Sequence, residues 1–279
     1  MPELPEAEHT RRIFERIAVG RRIIEADVLD DPIVFEGLGP EGVRSRLEGR
    51  TVAAAHRRGK YLWLELSMAP HLVLHLGMTG QVRFQHDDPL KLEASPDQVD
   101  RTWPPRFTRL RLVLDDGGEL AFTNARRLGR ALFRTDPRRE KPLAKLGFDP
   151  LLDMPDRAAF RDRLARRSRA VLKSLLLDQG FAAGVGNWIA DEVCYQAGLD
   201  PHRRVGSLEK AEVDRLRDTI EHVIVEAVRV DARKVDFPEH WLFHRRWGRD
   251  PEARTHDGEP LAFDEIGGRT TAWVPSRQR

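Results

Sequence analysis

Cysteine is almost absent. Cys194 is the single one in 279 residues. That excludes an internal disulfide and any zinc site built from cysteine pairs. Long apolar runs are missing too, since none approaches the roughly 20 residues that a membrane-spanning helix needs. The N-terminus has no apolar core of the signal-peptide kind, so an intracellular, unsecreted protein with no membrane partner is expected. Neither sign of charge dominates, with 47 basic against 45 acidic residues, so net charge argues weakly for nucleic acid. Arginine leads the basic set, however, and its planar fork suits phosphate. What is present, 40% hydrophobic and 33% charged, reads as a globular chain long enough for two modest domains.

The apolar pattern changes along the chain. Pro2 to Ile17 reads as a helix, with Leu4, Ala7, Phe14 and Ile17 near one face. From Arg22 to Phe133 the period shortens to two. Strands are expected at 23–24, 51–53, 61–66, 71–76, 81–84, 109–114, 119–122 and 131–133, and Asp115-Asp116-Gly117-Gly118 is a hairpin signal. Asp87 to Pro105, polar and proline-bearing, reads as a long surface loop. Beyond Pro155 the period is helical, over 158–164, 170–177, 188–197 and 208–230, with Ser207 as the cap of the last. Glycine turns return after Asp250. The expected class is α+β: an N-terminal helix and two-layer β-sandwich, then a helical domain and a C-terminal β-hairpin. The expected boundaries are 1–135, a linker at 136–155, then 156–249 and 250–279.

Four segments can carry chemistry. Once Met1 is removed, Pro2 presents a secondary amine able to attack an aldehyde-level carbon. A terminal amine titrates near ~8, against ~10.4 for lysine, and is easier to keep neutral. Glu3 lies beside it as a proton carrier; a plain helix start is the alternative reading. Lys60 opens a strand after Arg57-Arg58-Gly59, either at a solvated edge or aimed into a cleft to hold phosphate. Gly180 to Gly186 interrupts helix, which restarts at Asn187 with unpaired N–H groups, a ready anion site. Arg269 follows Gly267-Gly268 on a hairpin tip, placed for a phosphate or simply for a surface turn.

Taken together, MPELPEAE, RRGKYLWLEL, HLGMTG, LLLDQGFAAGVGNWIADEVCYQAGLDP and GGRTTAWVP closely resemble the formamidopyrimidine-DNA glycosylase/endonuclease VIII family, in order and over nearly the whole chain. The resemblance implies a helix–two-turn–helix domain, a finger hairpin and a bifunctional DNA glycosylase and AP lyase of base excision repair. Its partner would be double-stranded DNA with a damaged base or abasic site, bound by a monomer without a cofactor. By that resemblance the Pro2 amine attacks the sugar's anomeric carbon, Glu3 moves protons, and Glu6 supports the site. Lys60, counted as catalytic with Pro2 and Glu3, would grip a phosphate around the lesion, as would His75, Gly186, Asn187 and Arg269. Met78, Arg126 and Leu128 would fill the gap left by the displaced nucleotide.

The chain departs from the family pattern in three places. Pro251–Arg254 and Trp273–Ser276 stand where the finger's cysteine pairs would be, so the chain is similar to the zincless branch, with plant and fungal members the nearest in motif. Trp273, Phe263 and Leu261 are expected to form the finger's small core. Leu128 stands where many relatives carry phenylalanine. Asp231–Pro238 is short where bacterial 8-oxoguanine enzymes carry a long loop, implying a preference for ring-opened or further-oxidised purines. The alternative readings are a damaged-DNA-binding protein without catalysis, or the same enzyme class acting on bulky adducts or cross-links.

Overall fold

Leucine in every second position is the pattern from which the first half of the chain folds. Thr108–Leu114 shows it plainly, with Leu110, Leu112 and Leu114 buried and Arg109 and Arg111 turned outward. In the computed structural model, which describes residues 2–85 and 101–279, such strands build two antiparallel sheets. One runs β1 (Ile23–Val28), β6 (Thr108–Leu114), β7 (Glu119–Thr123), β5 (Gln81–Phe84). The other runs β2 (Val52–Arg58), β3 (Tyr61–Leu66), β4 (His71–His75), β8 (Arg130–Arg134). Their inward side chains, among them Leu62, Leu64, Leu72, Leu74, Leu110, Leu112 and Phe122, form one core, the sandwich expected from the alternation. Helix α1 (Leu4–Ile17) adds Phe14 to that core. The loop expected over 87–105 lies, up to residue 100, outside the described residues.

Three local expectations are corrected. Helix α1 starts at Leu4, with Glu3 as its cap, and Pro2 precedes it. A second helix, α2 (Pro40–Leu47), was not expected, because it buries only Val43 and Leu47 and contains Gly42. The long helix α6 (Lys210–Arg229) is capped by Glu209 through a box with Glu212. Ser207 instead turns its hydroxyl back to donate to the Arg204 carbonyl at 2.9 Å.

The chain divides into two compact units, Met1–Lys145 and Leu146–Arg279, with the division inside 136–155. Residues on both sides of it are bonded into structure: Arg134 donates to the Lys141 carbonyl at 2.7 Å, and the Gly147 amide donates to that of Gln179 at 2.9 Å. The second unit contains α3 (Arg157–Ala165), α4 (Leu172–Leu177), α5 (Asn187–Ala197), α6 and the hairpin β9 (Ala262–Ile266) and β10 (Arg269–Trp273). Gly267 and Gly268 both have positive φ, 58° and 70°, as a tight two-residue hairpin turn requires.

The hairpin's core differs from expectation at one residue. Leu261, Ala272 and Val274 are buried with Tyr195 and Leu242, and Phe263 packs against them. Trp273 is on the opposite face of β10, donating to Asp264 at 2.6 Å and meeting His202 edge-on. Period-two alternation places neighbours on opposite faces, so Ala272 and Val274 exclude Trp273 from that core.

Candidate functional site

The first unit concentrates chemistry at the start of α1. Pro2 is buried, and Glu3 and Glu6 are 2% and 6% exposed. The two glutamates form a reciprocal cap: the Glu3 amide donates to Glu6 Oε2 at 2.9 Å, and the Glu3 carboxylate accepts from the Glu6 amide. Two carboxylates are thus held within one helical turn. Burial, then the Glu3 charge, pushes the Glu6 carboxyl up to about 7. It can therefore give or take a proton near neutrality.

Lys60 stands in the turn between β2 and β3, after Gly59 at φ +57°. The preceding strand carries Arg57, whose fully buried side chain donates to Glu8 Oε2 of α1 at 3.0 Å and to the Gly59 carbonyl at 3.1 Å. A buried ion pair therefore ties the helix that begins beside Pro2 to the turn that holds Lys60. Sequence reasoning missed both Glu8 and Arg57. Neither has an apolar period or motif to mark it, and the two are 49 residues apart.

His75 ends β4 opposite Tyr61, with the rings 4.6 Å apart. Burial, then the charges of Lys60 and Arg130, pushes its imidazole down to about 4. His75 is therefore neutral at working pH. Its Nδ1 accepts from the Gly77 amide at 3.2 Å, which puts the proton on Nε2. The ring is a neutral N–H donor, a role fit for a phosphate oxygen but without the charge of a cation.

Met78 lies in the turn after β4, and Arg126 and Leu128 lie in the loop between β7 and β8, where both are exposed. The two loops are in backbone contact. A Cβ at Gly77, whose φ is +65°, would stand 2.6 Å from Leu128 C and Gly129 N. Only glycine permits that approach, so the Met78 turn and the Leu128 loop share one edge of the sandwich.

In the second unit, Gly186 caps α5 and Asn187 is its first residue. Gln179 staples the glycine-rich approach, accepting from the Gly184 amide at 3.0 Å and donating to the Val185 carbonyl at 2.7 Å. Asn187 Nδ2 donates to the Thr270 carbonyl at 2.9 Å, next to exposed Arg269. Asn187 and Arg269, expected as separate contacts, are thus brought together. Beneath them is a buried charge cluster that sequence reasoning missed. Lys173 reaches Asp191 at 2.5 Å and the Thr270 carbonyl at 2.9 Å. Arg246 reaches the other Asp191 oxygen at 2.6 Å, and the Ala272 amide donates to that oxygen at 3.2 Å. These bonds hold the hairpin to α4 and α5. No group of three or more metal-ligating side chains is found among the described residues.

Each unit matches a family model. Residues 1–131 match the formamidopyrimidine-DNA glycosylase N-terminal domain, and residues 146–239 match the H2TH domain of the same enzymes. An Arabidopsis thaliana formamidopyrimidine-DNA glycosylase is 38% identical over 279 residues, covering all of this chain and 71% of that protein. One from Pelobacter propionicus is 35% identical over the full length of both chains. Among solved structures, a Lactococcus lactis variant bound to a Fapy-dG-containing DNA superposes with a TM-score of 0.81 at 26% identity, over all of both chains. With both units matched and relatives this similar along its whole length, the chain belongs to the formamidopyrimidine-DNA glycosylase family.

Proposed function

We propose that this chain is a bifunctional DNA glycosylase and AP lyase that removes oxidised or ring-opened purines from double-stranded DNA. The observation that carries the reading is the start of α1: a buried Pro2 beside two glutamates locked in one turn, one of them titrating near 7. With Met1 removed, the Pro2 amine attacks the sugar's C1′, and the bond from C1′ to the base breaks as the base leaves. The ring oxygen departs as an alcohol, leaving an iminium. Glu3 carries the protons these steps need, and Glu6 buffers them. Loss of a C2′ proton then expels the 3′ phosphate, and a second elimination expels the 5′ phosphate.

Lys60 and neutral His75 suit the phosphates flanking that sugar, and Gly186, Asn187 and Arg269 suit others. Met78, Arg126 and Leu128 suit the space left by a displaced nucleotide, an apolar and stacking replacement for the lost base. The substrate preference follows the short 231–238 segment, which closes α6 through left-handed Asp231 and Ala232 (φ 52° and 55°). It has little chain with which to cover a base, so formamidopyrimidines should leave faster than 8-oxoguanine. The protein works as a monomer on intracellular DNA, within the nucleoid if the source is bacterial.

Borohydride trapping across a lesion panel tests this, with the mature N-terminus checked by mass spectrometry. A covalent adduct located at Pro2 by peptide mapping is expected with the Pro2-terminal protein and is lost from that position when Met1 is retained. An adduct on cross-linked or bulky substrates alone would favour the other substrate class. Specific binding to damaged duplex with no adduct would make the chain a binding protein and sink the enzymatic reading.

A further inference from the structure

The loop that carries Arg126 and Leu128 has an anchor of its own. Between these two exposed residues, Arg127 adopts φ +55°, a left-handed conformation that non-glycine side chains rarely hold. Its guanidinium makes a two-pronged bond to Asp31, Nε to Oδ2 and Nη2 to Oδ1, both at 2.9 Å. Asp31 is 2% exposed and itself fixed, since its Oδ1 accepts from the Ile33 and Val34 amides at 3.2 Å each. Arg109 completes the arrangement, standing 3.5 Å from Asp31 Oδ2 and donating to the Asn124 carbonyl at 3.2 Å, where the loop leaves β7. On the far side Arg130 donates to the carbonyls of Arg127 and Gly129 at 3.0 and 2.7 Å.

We propose that Asp31 is a positioning residue for the base-displacing wedge: by clamping Arg127 in a left-handed turn, it projects Arg126 and Leu128 outward on either side. The proposal rests on the reading of those two residues as wedge. Arg127 is itself part-exposed at 45%, but its guanidinium is held by a buried carboxylate 96 positions away, which fixes the turn between the two neighbours. A bidentate fork fixes orientation where a point charge does not. Pre-ordering the loop removes the entropy otherwise lost when it enters the duplex. Leu128 stacks less than an aromatic ring would, so a fixed loop is the means by which a smaller side chain can still displace a base.

The test compares two substrates. Asp31→Asn keeps the amide caps but removes one prong and the charge; Arg127→Lys keeps the charge and removes the fork. Single-turnover excision of a formamidopyrimidine from duplex DNA should slow by about tenfold or more in both, because the base must be unstacked first. Nicking of a preformed abasic site, which has no base to displace, should stay within about threefold of wild type. Equal slowing on both substrates, or none on either, overturns the proposal. If Asp31→Asn fails to fold, Arg127→Lys alone decides. If the wild type forms no adduct at all, the proposed function fails separately. The Asp31–Arg127 clamp is then read from 2-aminopurine placed beside a formamidopyrimidine: its fluorescence rise on binding should be lost in the variants, and an undiminished rise overturns the proposal.

Discussion

At the residue scale, Glu6 shows most directly how position sets chemistry. Its carboxyl is raised from 4.5 to about 7, first by burial and then by Glu3. A raised acid is protonated in the folded state while the unfolded chain has released its proton, so folding loses stability as pH climbs from about 4.5 to 7. At roughly 1.4 kcal/mol per pH unit, the full loss approaches about 3 kcal/mol above pH 7. Glu6→Gln keeps an acceptor for the Glu3 amide and cannot ionise. It should therefore be more stable than wild type at pH 8 by about 1–3 kcal/mol, with the gain vanishing toward pH 4.5. It should also excise bases at least about tenfold more slowly at neutral pH. Urea unfolding at both pH values and single-turnover kinetics measure the two effects. A variant that is no more stable at pH 8 than at pH 5 would contradict the buried-acid account.

At the element scale, the second unit's hairpin depends on Lys173, Asp191 and Arg246. Burial, opposed by Asp191, lowers the ammonium of Lys173, yet three oxygens hold it in place. Lys173→Met leaves the Thr270 carbonyl and Thr271 hydroxyl without that donor. The variant should lose about 3 kcal/mol and show faster amide exchange over residues 262–273. Unchanged exchange there would mean the hairpin is held by its apolar contacts alone. The same scale shows what was legible in the sequence. Strands β3 and β6 were readable because leucine alternates within each, and α5 because glycine and asparagine mark its start. Helix α2 was not, since two buried side chains leave no period to detect. Pro2, Glu3 and Lys60 were visible because their segments are continuous motifs. Glu8 with Arg57, Asp31 with Arg127, and Lys173 with Thr270 were invisible because each pair is joined only by folding, across 49, 96 and 97 residues.

At the scale of the whole molecule, the two units should respond differently to pH. The first unit holds two opposed groups. Glu6 costs stability as pH rises through 4.5 to 7, while His75, lowered from 6.5 to about 4, costs stability as pH falls through that range. Between pH 5.5 and 8 these nearly cancel. The second unit holds Glu192, raised from 4.5 to about 7 chiefly by burial. Raising pH from 5.5 to 8 should therefore weaken the second unit by about 2 kcal/mol and the first by well under 1 kcal/mol. Amide exchange resolved by unit at the two pH values checks this; a first unit that responds more strongly would reverse the assignment. The buried cluster under the hairpin has one more consequence. In that part of the molecule, stability is carried by ammonium, guanidinium and carboxylate. The lone thiol, Cys194, is buried, and its titration is pushed well above the ordinary thiol range by burial and then by Asp191. Peroxide and chelators attack thiolate–metal knots first. The hairpin of this DNA-repair glycosylase is thus tied to its own unit by bonds that oxidants do not break.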